Sequence, residues 1–160
     1  MAVAANKSVL FVCLGNICRS VTAEALFQEM AEEKGFASDW RIDSAATSTY
    51  EIGSLPDSRT NDTLEKNKRK RSKHIARQIT KKDFTDFHYI FGFDSSNISN
   101  INRVKPSSSK SEVLLMGKYG KNGNEIVQDP YYYDQAAFDT MYEQCERMVK
   151  AFIAEVEPGK

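Results

Sequence analysis

Cys13 is followed six positions later by Arg19, with Leu14, Gly15, Asn16, Ile17 and Cys18 between them and Ser20 directly after. If the intervening segment curls, a thiol and a guanidinium at this spacing can act on one tetrahedral oxyanion. The guanidinium presents a planar fork to two oxygens, and the sulfur stands beside the central atom as a nucleophile. Gly15 and Asn16 are residue types that take positive φ with little cost, as a curled loop needs. The Ser20 hydroxyl can donate a hydrogen bond to a thiolate.

Two elements must position that loop. Val9 to Val12 is an apolar, β-branched-rich run suited to a strand buried on both faces, in the centre of a parallel sheet. After it, Val21, Ala25, Leu26, Met30 and Ala31 recur at helical spacing, which predicts a helix from Ser20 to Lys34 with Gly35 as its stop. A short loop between a strand's carboxyl end and a helix's amino end gathers backbone N–H groups and the positive end of the helix dipole. Leu14 to Ser20 is therefore the predicted phosphate-binding segment, and its field favours the ionised form of the Cys13 sulfur. A Cys and an Arg at this spacing also occur by chance, and a buried Cys is usually a small hydrophobe. The strand before and the helix after set this pair apart.

A phosphoryl group passing to sulfur needs its leaving oxygen protonated by an acid outside the loop. Asp129 is the candidate, in Val127-Gln-Asp-Pro-Tyr-Tyr, a loop pinned by Pro130 and flanked by Tyr131 and Tyr132.

The rest of the chain reads as alternating strands and helices. Strands are predicted at Trp40 to Ala45, His88 to Asp94 and Glu112 to Met116. Helices are predicted from Asp57 to Lys66 with Asp57 as cap, from Thr80 to Phe87 opened by a capping box, and from Tyr133 to Glu155. Asp94 reads first as an N-cap for the helix that follows it. This pattern predicts a single α/β domain over residues 1–160: a three-layer, doubly wound fold with a four-stranded parallel sheet and helices on both faces. The basic run Lys66, Lys68, Arg69, Lys70, Arg71 and Lys73 reads as a solvated turn more readily than as an anion patch.

Five stretches, kept in order over nearly the whole chain, resemble the low-molecular-weight protein tyrosine phosphatases. They are Val9 to Ser20 (VLFVCLGNICRS), Asp43 to Gly53, His74 to Thr80, Phe93 to Asn97 and Asp129 to Tyr132. The resemblance implies hydrolysis of phosphotyrosine proteins and small aryl phosphates through a cysteinyl-phosphate, with no metal or other cofactor. Inhibition by oxyanions such as phosphate or vanadate would follow. It assigns Cys13, Arg19 and Asp129 to catalysis and makes His74 the brace of the phosphate loop, holding Asn16 and Ser20, with Glu24 a candidate charge partner. Tyr50, Tyr131 and Tyr132 would wall the substrate cleft, Tyr131 stacking on the aryl group. Val21 and Ser95-Ser96 depart from the family pattern without touching these atoms. Two rival readings are an arsenate reductase of related fold, which needs a further relay cysteine and has only Cys145, and an inactive oxyanion-binding module. Cys18 has two readings: it packs beneath the loop, or it traps an oxidised Cys13 as a reversible disulfide.

Lys plus Arg and Asp plus Glu both number 22, which argues against bulk capture of nucleic acid or acidic membrane. Met1 to Lys7 is too short and weakly organised for a signal peptide, and no apolar run approaches the ~20 residues of a membrane span. Three Cys do not make a framework of disulfides, and a nucleophilic thiol suits a reducing compartment, so the cytoplasm is the expected location.

Overall fold

The computed structural model describes residues 6–160, so most of the segment read as lacking a signal peptide lies outside the described residues. Four strands, β1 (Ser8–Cys13), β2 (Arg41–Ala46), β3 (Tyr89–Gly92) and β4 (Glu112–Leu115), form one sheet in the order β2-β1-β3-β4, with every pairing parallel. The helices are α1 (Arg19–Lys34), α2 (Ser58–Lys66), α3 (Asp83–Asp86), α4 (Ser95–Val104) and α5 (Gln135–Val156).

The apolar run reads correctly as a central strand, since β1 is buried along its whole length and paired on both edges. Strand alternation divides it between two cores. Val9, Phe11 and Cys13 pack with residues of α1, α2 and α5, whereas Leu10 and Val12 pack with Phe84 of α3 and Ile101 of α4. An aromatic cluster of Phe11, Phe27, Trp40, Phe91 and Phe152 fills the first core. Each such ring contributes about 1.5–3 kcal/mol by leaving water.

Several boundaries differ from the sequence reading. β3 is shorter than His88 to Asp94, because the chain turns after Gly92 so that Asp94 can cap α4, accepting from the Asn97 N–H at 2.7 Å. The capping box at Thr80 is one-sided: the Asp83 carboxylate accepts the Thr80 N–H at 2.8 Å, but the Thr80 hydroxyl also turns to that carboxylate and leaves the helix uncapped on its side. Asp57 caps α2 as expected, through the Arg59 N–H at 2.9 Å. In the basic run, Lys66 and Arg71 pair with Asp139 and Asp62 at the surface, which fits a solvated turn, whereas Arg69 is largely buried, held by Glu33, Glu146 and the Tyr142 hydroxyl. Among the described residues no helix is long and apolar enough to cross a membrane.

Candidate active site

The loop after β1 curls into α1 beneath a cleft of about 180 Å³ at the carboxyl edge of the sheet. Its floor is Cys13, Leu14, Gly15, Ile17, Cys18 and Arg19, and its walls are Tyr50, Glu51, Asp129, Tyr131 and Tyr132. Asn16 and Ser20 are buried behind the floor. Of the two loop residues suited to positive φ, Asn16 takes the left-handed conformation, at φ 62°, and Gly15 does not. Asn16 can occupy that region because its side chain is fully used by its surroundings.

Those bonds fix the direction of a proton chain. The Arg77 N–H can only donate, so the Asn16 atom 3.1 Å from it is Oδ1. His74 Nε2, 2.8 Å from the same oxygen, must then carry its hydrogen. Asn16 Nδ2 donates to Ser20 Oγ at 2.8 Å and to Ser44 Oγ at 3.0 Å. Ser20 keeps its own hydrogen for Cys13 Sγ at 3.1 Å, and the Asn16 N–H points at the same sulfur from 3.4 Å. His74 thus reaches Ser20 only through Asn16, a correction to the expectation that it holds both. Ser44 is a member of the brace that residue types alone did not reveal.

Behind His74 lies Glu24, its Oε1 3.3 Å from Nδ1, with Asp43 Oδ1 at 3.7 Å. Burial raises the Glu24 carboxyl to about 7, with the Asp43 charge adding to it and Ser44 and Arg77 opposing. Burial likewise lowers His74, against the pull of Asp43. Both shifts favour the neutral forms of the two groups. Glu24, Asp43 and His74 also have the spacing of metal ligands. Glu24 accepts from Ser44 and Asp43 from Arg77, bonds that suit a hydrogen-bonded support.

Arg19 is 2% exposed, and burial opposes its charge, but Cys13, Asp94 and Asp129 together outweigh that and raise it. Its NH1 is held by Asp94 at 2.7 Å and by the Val127 carbonyl at 3.0 Å, while NH2 lies 3.7 Å from Asp129 Oδ2. Asp94, read first as a cap, therefore also aims the guanidinium. The N-terminus of α1 has no side-chain cap, leaving its first N–H groups for an anion. Cys18 is a free, buried thiol pushed up by desolvation, and Cys145 is buried on α5 and pushed up to about 12 by the same cause. Tyr50 and Tyr132 are largely exposed at the rim, and Tyr131 meets the Tyr132 ring edge to face at 4.9 Å.

The family model for low molecular weight phosphotyrosine protein phosphatases matches residues 8–159. The chain belongs to this family. A low molecular weight phosphotyrosine protein phosphatase of Rattus norvegicus is 46% identical over 155 residues, 96% of this chain and 98% of the relative. Among solved structures, a protein tyrosine phosphatase of Entamoeba histolytica with Hepes in its active site superposes with a TM-score of 0.88 at 30% identity. That alignment covers 95% of this chain and 97% of the other. A Drosophila arginine phosphatase gives a TM-score of 0.87 at 31% identity, over 95% and 99% of the two chains. The phosphotyrosine phosphatase family thus accounts for the fold as well as for the order of the motifs.

Proposed function

We propose that this chain hydrolyses phosphotyrosine in proteins, and small aryl phosphates, through a cysteinyl-phosphate. The observation that carries the reading is the shared cleft: the Cys13 sulfur, Arg19 and Asp129 border one cavity whose floor is the start of a helix. The Cys13 thiolate attacks phosphorus in line as the bond to the phenolic oxygen breaks, and Asp129 protonates that oxygen. Arg19 and loop N–H groups hold the equatorial oxygens, as preorganised donors that need no rearrangement at the moment of reaction. Asp129, now a carboxylate, takes a proton from water. The water oxygen bonds to phosphorus, the S–P bond breaks, and phosphate and the thiolate are released.

Tyr50 and Tyr131 support an aryl leaving group, being aromatic side chains on the lining of the cleft. Phosphate and vanadate would compete for the same floor, and a reducing compartment such as the cytoplasm would keep Cys13 active. The arsenate reductase reading is disfavoured because Cys145 is buried in the core, with no path to relay a disulfide outward. The inactive-module reading is disfavoured because Cys13 and Asp129, residue types able to act as nucleophile and acid, both line the cleft.

The test is turnover of aryl and alkyl phosphates by the reduced protein and its variants. Cys13→Ser should show no turnover. Asp129→Ala should lose about 10²–10⁴-fold on alkyl phosphates and less as the leaving group improves. A phosphoarginine peptide serves as the comparison substrate, and faster turnover of it than of a phosphotyrosine peptide would overturn the substrate assignment.

A further inference from the structure

We propose that Arg59 is a positioning residue for the general acid, and that the Asp57–Arg59 pair is the strut that sets the distance between phosphate loop and acid. This rests on the reading of Cys13 as nucleophile and Asp129 as acid. Asp129 lies in residues 124–134, which form no helix or strand, so its place must come from ties to the rest of the molecule. On the side before it, the Val127 N–H bonds the Phe93 carbonyl at 3.0 Å, and the Val127 carbonyl accepts from Arg19. On the side after it, Arg59 holds the chain: NH2 donates to the Tyr131 carbonyl and NH1 to the Tyr133 carbonyl, each at 3.1 Å.

The other end of the strut is fixed to the phosphate loop. The Asp57 N–H donates to the Ile17 carbonyl at 3.0 Å, and the Thr60 hydroxyl reaches the same oxygen at 2.9 Å. Between the ends, Asp57 grips Arg59 by the fork, Oδ1 taking Nε at 3.0 Å and Oδ2 taking NH2 at 2.8 Å. The Arg59 guanidinium lies 4.4 Å from the centre of the Phe138 ring on α5 and 5.6 Å from that of Tyr131. Arginine suits the position because its flat fork can bind one carboxylate and two carbonyls in a single plane while stacking on a ring. A lysine offers only a point charge.

If Arg59 acts through Asp129, its loss should mimic a misplaced acid, not a general loosening. The experiment compares kcat/KM for phenyl phosphate and for para-nitrophenyl phosphate in the unaltered protein, Arg59→Ala, Arg59→Lys, Asp129→Ala and the double variants, with thermal unfolding of each. Arg59→Ala is expected to lose about 10²-fold on phenyl phosphate, the cost of an ångström-scale misplacement, and much less on para-nitrophenyl phosphate. In the Asp129→Ala background it should cost nothing further on either substrate. Arg59→Lys keeps the charge and the stem over Phe138, so it reports the same pattern where the alanine variant does not fold. Equal losses on the two substrates, or losses that multiply with Asp129→Ala, overturn the proposal. If Asp129→Ala itself shows no dependence on leaving group, the acid assignment beneath it fails.

Discussion

Arg19 turns NH1 toward Asp94, 2.7 Å away, so that one arm of the guanidinium is held behind the phosphate site. A buried arginine whose partner is removed is left as an uncompensated charge, which costs about 3 kcal/mol or more. Asp94 also caps α4, and Asn caps as well as Asp does. Asp94→Asn should therefore keep α4 while losing the counter-charge, and the freed guanidinium would swing toward Asp129. We expect kcat/KM to fall about 10²-fold with helical circular dichroism unchanged. A variant with normal phosphate affinity and normal turnover would show that Asp94 does not aim Arg19.

Asn16 makes two acceptor and two donor contacts from a left-handed backbone. Asn16→Gly removes those contacts without backbone strain, whereas Asn16→Ala adds strain of about 1–2 kcal/mol. Denaturant unfolding should rank the native chain above the glycine variant and the glycine variant above alanine. Both variants should lose turnover, because Ser20 is no longer oriented toward Cys13. Full activity in Asn16→Gly would mean that the loop conformation alone matters.

Glu24 gives the fold a pH dependence with a defined sign. Its folded-state value is raised from 4.5 to about 7, so the native state holds a proton that the unfolded chain has released. That contribution is fully present below about 4.5 and is lost as pH rises through about 7, at most ~3 kcal/mol at 1.36 kcal/mol per unit. His74, lowered from 6.5, acts in the opposite direction: stability is lost as pH falls below that value. Glu24→Gln keeps the shape of the side chain and an acceptor for Ser44 but cannot titrate. Urea unfolding from pH 4.5 to 8 should show the two curves diverging with rising pH, to the disadvantage of the native carboxyl, and parallel curves would refute the assignment.

Gly117 is needed for close approach of two backbones. A Cβ there would lie 1.6 Å from the Glu125 carbonyl oxygen, which accepts no side-chain adjustment. Gly117→Ala should destabilise by more than the roughly 1–3 kcal/mol of ordinary overpacking and displace the segment leading to Asp129. Thermal unfolding and turnover of phenyl phosphate report the two effects.

Features that depend on local pattern are legible in the order of residues. The apolar run of β1, the helical spacing of α1 and the break between them at Cys13 are legible because strand and helix impose periods on burial. The cap at Asp57 is local in the same way, as the acceptor and its donor lie two residues apart. Tertiary structure alone decided the partners. Ser44 joins Asn16 to Glu24, Asp94 takes one arm of Arg19 from 75 residues away, and Arg59 reaches the carbonyls beyond Asp129 across more than 70 residues. Ser, Asp and Arg at such positions are ordinary surface residues by type. They become parts of the site only because parallel strand order brings the carboxyl ends of β1, β2 and β3 side by side, and hydrogen bonds there depend on distance in space, which the residue sequence does not encode position by position.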